Sequence, residues 1–85
     1  MKHLSRNAAP ARAVVLGKPR CSYCTKAKKL LEDHDIPFIS KDVTKSANIM
    51  LKRWMSIEGI TTVPQVWLDG THVGGYDDLK RLLED

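Results

Sequence analysis

Sulfur is scarce in this chain, whose 85 residues hold two cysteines, Cys21 and Cys24. A zinc site usually takes four ligands, and one C-x-x-C pair with the scattered His3, His34 and His72 lacks that spacing. A purely structural disulfide between the two would close only a tiny loop and constrain the unfolded chain little. Long apolar runs are missing too, which excludes a membrane-spanning helix. The stretch from Met1 to Arg12 has basic residues but no hydrophobic segment after them, so no secretory signal is expected. The expected setting is the cytoplasm or another reducing compartment, where a C-x-x-C pair more often does redox chemistry than stapling. Aromatic residues make up 6% of the chain and are not interleaved with its basic ones. With no DNA- or RNA-binding motif in view, nucleic acid is not an expected partner.

Acidic residues are absent before Glu32, whereas Lys18, Arg20, Lys26, Lys28 and Lys29 come earlier. The net charge of +4 is therefore uneven, and the cysteines sit in a basic half. Such a field stabilises a thiolate and attracts an anionic thiol substrate. For Lys28 and Lys29 the plainer reading, the solvated face of a helix, is preferred.

What the chain does have is Cys21-Ser22-Tyr23-Cys24, placed where a short apolar strand gives way to a helix. A thiol at the first turn of a helix faces unpaired backbone N–H groups and the positive end of the macrodipole, which favour thiolate over thiol. Cys21 is the candidate nucleophile. Cys24, one turn along, is close enough to attack a mixed disulfide formed on Cys21.

The length suits one small domain with one modest core. Residues 1–10 are polar, include Asn7 and Pro10 and lack apolar periodicity, so a loose tail is expected there and the domain over residues 11–85. Ala13-Val14-Val15-Leu16, stopped by Gly17 and Pro19, reads as a strand buried on both faces. From Cys24 to about His34, Ala27, Leu30 and Leu31 recur at helical spacing. Phe38 to Val43 reads as a second strand, parallel to the first through a right-handed crossover. Between Ser46 and Glu58, Ala47, Met50, Leu51, Trp54 and Met55 form a helical stripe expected to be core. Val66-Trp67-Leu68, Asp69-Gly70 and Thr71-His72-Val73 have the form of a hairpin, and Leu79, Leu82 and Leu83 suggest a short closing helix. The order βαβαββα implies an α/β fold with a four-stranded mixed sheet and helices on both faces. The cysteines would lie at the carboxyl end of a central strand, where open sheets place their ligands.

Two further segments stand out. In Thr61-Thr62-Val63-Pro64 the proline must sit at the start of a strand, and read alone it is an ordinary strand-initiating residue, since cis is a minority state. Gly74-Gly75-Tyr76-Asp77-Asp78 joins the last strand to the last helix; its glycines permit close backbone approach and its helix N-terminus can receive a carboxylate. Asp77 or Asp78 can equally serve as the helix cap.

From roughly Arg12 to Asp85 the chain resembles the glutaredoxin family, on the thioredoxin-like fold, through Lys18 with Cys21-Ser22-Tyr23-Cys24, then Thr62-Val63-Pro64, then Gly74-Gly75-Tyr76-Asp77-Asp78. The resemblance implies a glutathione-dependent oxidoreductase that reduces protein disulfides and protein–glutathione mixed disulfides. It implies a cis bond before Pro64, with the Val63 backbone pairing to the cysteinyl part of glutathione beside Thr62. Lys18 would hold the glycine carboxylate and Tyr23 would flank the thiol. The turn at Gly75 and Tyr76 would present N–H groups to the γ-glutamyl carboxylate, and Asp77 and Asp78 would engage its amino group. Lys52 or Arg53 would add a carboxylate contact.

Ser22 departs from the proline common in dithiol members, leaving an extra N–H and a hydroxyl near the sulfurs. Serine here is similar to members in which two protomers and two glutathiones hold a 2Fe-2S cluster, with Cys21 as the protein ligand. Cluster carriage is thus an alternative, the cluster-free chain being expected as a monomer. A second alternative is a thioredoxin-like electron donor to ribonucleotide reductase.

Overall fold

The computed structural model describes residues 10–84, so the tail expected at residues 1–10 lies, apart from Pro10, outside the described residues. The elements are β1 (Ala13–Gly17), α1 (Ser22–Asp33), β2 (Phe38–Asp42), a 3-10 turn (Ser46–Asn48), α2 (Ile49–Ile57), β3 (Gln65–Leu68), β4 (Thr71–Gly74) and α3 (Tyr76–Glu84). The sheet order is β2-β1-β3-β4. β1 runs parallel to β2, with Val14 opposite Ile39, and antiparallel to β3, with Val15 opposite Val66. This is the four-stranded mixed sheet expected from the order of elements, in the thioredoxin-like arrangement that the resemblance implied.

β1 is apolar throughout because both of its faces are covered. Successive side chains point to opposite faces of a strand. Ala13 and Val15 accordingly enter one cluster with Ala27, Leu30, Leu31, Ile36, Val66 and Leu79, beneath α1 and α3. Leu16 enters a smaller cluster with Val43 and Met55, beneath α2.

Strand β2 stops one residue earlier than expected. Asp42 Oδ1 accepts from the Thr44 backbone N–H at 2.8 Å and from the Thr44 hydroxyl at 2.6 Å, folding the chain into a turn. Val43 still reaches the core and donates its N–H to the Gly17 carbonyl at 2.9 Å. The hairpin turn has positive φ at both central residues, 52° at Asp69 and 83° at Gly70, as a tight primed turn requires.

The stripe expected as core on the second helix is mostly surface. Met55 is buried and Leu51 packs at the margin, but Met50 is 66% and Trp54 41% exposed. Ala47 is exposed in the 3-10 turn, because the α-helix begins only at Ile49. A short helix over a small cluster seats two residues spaced i, i+4 and leaves the rest outside. In α3, Leu79 and Leu83 likewise face the core while Leu82 is exposed.

Candidate active site

Beyond β1 the chain turns through Lys18, Pro19 and Arg20, the last with φ of 57°, and Cys21 then caps α1. Cys21 has extended backbone angles, so its sulfur swings over the open end of the helix, where Sγ accepts from the Cys24 N–H at 3.3 Å. The Cys21 thiol also points toward the Val63 carbonyl, 4.0 Å away. Both cysteines are free thiols.

Their environments differ. Cys21 is half-buried, whereas Cys24 is packed into the core. Burial pushes the Cys24 thiol from 9.0 up to about 11, aided by its hydrogen bond with Cys21 and by that neighbour's charge; the Lys18 backbone N–H and the Lys28 charge pull the other way. A thiolate is poorly solvated in such a place, and burial dominates.

The Val63–Pro64 peptide is cis, as the family resemblance implied and the segment read alone did not. Pro64 is buried immediately before β3. Tyr23, Thr62, Val63, Pro64, Gly75, Tyr76, Asp77 and Asp78 together line a groove of about 230 Å³. Three segments distant in sequence thus make one wall beside Cys21. Tyr23 and Tyr76 meet across it with ring centroids 5.7 Å apart, and the Lys26 ammonium lies 4.8 Å from the Tyr23 ring.

Lys18 is the exception. It lines a separate hollow of about 170 Å³ with Cys24, Lys28 and Lys41 among others. Lys52 and Arg53 are exposed on α2 and line neither. The two aspartates also divide. Asp78 Oδ2 accepts from the Gly75 N–H at 3.1 Å and Oδ1 from Arg81 at 3.3 Å, so Asp78 fastens the start of α3 and occupies an amide expected to face a ligand. Asp77 is exposed in the first helical turn.

The profile of the Glutaredoxin family matches residues 13–73, most of the chain. The chain belongs to the glutaredoxin family. Members of that family couple glutathione to thiol–disulfide exchange, and this chain carries the dithiol C-x-x-C pair, Cys21 and Cys24. Glutaredoxin 3 of Escherichia coli strain K12 is 37% identical over 75 residues, 85% of this chain and 86% of that protein. The hybrid peroxiredoxin hyPrx5 of Haemophilus influenzae is 42% identical over 67 residues, 79% of this chain but only 27% of that protein. The glutaredoxin chain thus spans about a quarter of that relative's length. A buckwheat glutaredoxin in complex with glutathione superposes with a TM-score of 0.68 at 29% identity, over 79% of this chain and 63% of the other. The match to the family profile ends before Gly74, so the Gly75 to Asp78 wall of the groove was found through its own residues.

One polar residue behind the groove escaped the sequence reading. Gln65 is buried and donates through Nε2 to Thr62 Oγ1 at 3.1 Å. Its signal was present, an amide directly after Pro64 in an otherwise apolar strand.

Proposed function

We propose that this glutaredoxin chain reduces glutathione mixed disulfides and protein disulfides with glutathione as electron donor, Cys21 being the nucleophile. The observation that carries the reading is the half-buried Cys21 sulfur, held by the Cys24 N–H beside the groove walled by Thr62–Pro64 and Gly75–Asp78. In the first step the Cys21 thiolate attacks the glutathione sulfur of a mixed disulfide. A Cys21–glutathione disulfide forms, and the other thiol departs as a thiolate that takes a proton from water. The thiolate of a second glutathione then attacks the glutathione sulfur on Cys21. Oxidised glutathione leaves, and Cys21 regains its electron pair.

Bound glutathione would lie along the groove. Its cysteinyl part would face the Val63 backbone, its γ-glutamyl end the Tyr76 N–H and the Asp77 carboxylate, with Tyr23 beside the sulfur. Lys18, on the neighbouring hollow, would reach the glycine carboxylate with its long side chain. In the dithiol route, Cys24 loses its proton and attacks Cys21 Sγ, expelling glutathione and leaving a Cys21–Cys24 disulfide that two glutathiones reduce. Burial disfavours the Cys24 thiolate that this route requires, whereas the monothiol route does not call on Cys24. The reaction consumes reduced glutathione, which suits a reducing compartment such as the cytoplasm; among the described residues no helix is long and apolar enough to cross a membrane.

Reduction of a glutathione mixed disulfide, coupled to glutathione reductase, tests this. Turnover is expected in the native chain and in Cys24→Ser, and none in Cys21→Ser. Absence of turnover in the native chain overturns the reading.

Ser22 beside the cysteines favours a second reading, glutathione-assisted cluster carriage. One chain offers one accessible thiol, and among the described residues no group of three or more His, Cys, Asp or Glu stands together as a metal site. The donor set of a single chain does not fit a 2Fe-2S cluster, which would require a second copy and glutathione thiolates.

A further inference from the structure

Gln65, at the start of β3, is 9% exposed and lies against the core. The two ends of its amide have different partners. Nε2 donates to Thr62 Oγ1 at 3.1 Å, and Oε1 meets His72 Nε2 at 2.7 Å. With the carbonyl oxygen turned this way, His72 must carry a proton on Nε2 and act as the donor. His72 lies opposite Trp67 in the β3–β4 ladder and stacks on it, with ring centroids 4.4 Å and planes 19° apart. The indole face thus holds the imidazole where the amide needs it. A continuous chain of contacts runs from Trp67 through His72 and Gln65 to Thr62, and of these four only Thr62 lines the groove.

We propose that Gln65 is a positioning residue that sets the direction of the Thr62 hydroxyl proton toward glutathione, an inference that rests on the glutathione reading above. A threonine hydroxyl has one proton to donate and lone pairs to accept. The Gln65 amide occupies a lone pair, so the proton is left to point into the groove, toward a carboxylate or carbonyl oxygen of the bound tripeptide. An oxygen that accepts one hydrogen bond is also polarised to donate a stronger one. The 2.7 Å contact of Oε1 with His72 goes with the amide orientation that turns Nε2 toward Thr62. Glutamate at this position would still accept from His72 but could not donate to Thr62. It would take the hydroxyl proton for itself and turn it away from the ligand.

Steady-state kinetics of the native chain, Gln65→Glu, Gln65→Met, Thr62→Val and Thr62→Ser, with the glutathione mixed disulfide varied at saturating glutathione, tests the inference, because the glutathione part of that substrate is the one the groove holds. Losing one hydrogen bond to a bound ligand corresponds to a change on the order of fivefold to tenfold. Gln65→Glu and Thr62→Val are expected to raise KM for the mixed disulfide by about that factor with kcat nearly retained, the signature of lost uniform binding, and Gln65→Met, which frees the hydroxyl without taking its proton, to raise it by less. Thr62→Ser, which keeps the hydroxyl, is expected to stay within about twofold of native by the same reasoning. In a Thr62→Val background, adding Gln65→Glu should change KM little further, since the two act through one hydroxyl. A simple fold defect would lower kcat and active fraction across all Gln65 variants and would not be cancelled by Thr62→Val. Native KM in Thr62→Val overturns the inference by itself, as does additivity in the double variant. Both outcomes leave the glutathione reading standing, whereas a native chain without turnover removes both.

Discussion

A methyl group added at Gly17 would stand 3.0 Å from Cys24 Sγ and 3.3 Å from Cys24 Cβ. The last residue of β1 and the second cysteine are thus packed as closely as a missing side chain allows. Gly17→Ala requires the Cys24 side chain to give by a few tenths of an ångström, and overpacking of this kind costs about 1–3 kcal/mol. The expected result is a lower denaturation midpoint together with slower formation of the Cys21–Cys24 disulfide, read by urea titration and by thiol counting after oxidation. Native values for both would mean that α1 moves freely over β1.

The contrast between the two thiols predicts the order in which they react. At neutral pH iodoacetamide should modify Cys21 first and Cys24 slowly, since the latter is 3% exposed and its thiol is raised to about 11. Peptide mapping by mass spectrometry after brief exposure would show it. Equal labelling of the two cysteines would contradict the burial described for Cys24.

The same shift has a consequence for stability. Below 9.0, the ordinary value for the group, Cys24 is protonated in the folded and the unfolded chain alike, and its contribution is fully present. Between 9.0 and about 11 the unfolded chain releases the proton first, so stability falls as pH rises through that window. Urea midpoints at pH 8 and pH 11 should therefore differ more for the native chain than for Cys24→Ala, a comparison that removes the effect of other groups titrating nearby. An identical pH dependence in both would show that Cys24 does not contribute.

Gly74 has φ of 119°, and a Cβ there would collide with the Asp78 carboxylate that caps Gly75. Gly74→Ala is expected to cost about 1–3 kcal/mol through backbone strain alone, and to loosen the start of α3 as well. Asp78→Ala, which removes only the cap, should cost about 1 kcal/mol. Thermal unfolding of the two variants would rank them. The reverse ranking would show that the glycine is replaceable and that the cap holds the turn.

Core and surface hydrophobics separate in the same way. Leu31 is fully buried, and Leu31→Ala should cost about 2–5 kcal/mol. Met50→Ala, on the exposed side of α2, should stay within about 0.5 kcal/mol. A large loss at Met50 would mean that α2 packs against more than the small cluster around Leu16, Val43 and Met55.

Local patterns were enough for most of the architecture. The apolar run of β1, the helical spacing of Ala27, Leu30 and Leu31, and the Asp69-Gly70 turn each specify an element through interactions between near neighbours, and all three stand where expected. The placement of Cys21 at a helix N-terminus was legible for the same reason, since a cap is a local device. The exposure of Met50 and Trp54 was not. Periodicity states that a helix has an apolar side, but how much of that side is covered depends on the width of the sheet face it meets. Tertiary structure alone decided that Tyr23, Thr62–Pro64 and Gly75–Asp78 share one groove while Lys18 lines another, because these contacts close only when the crossover and the hairpin set the loops side by side. It also decided that Gln65 stands between His72 and Thr62 and that Asp78 is taken up by Gly75. A one-dimensional sequence names which groups are able to donate or accept, but a hydrogen bond requires both partners within about 3 Å and suitably aimed, and that is a property of the packed chain.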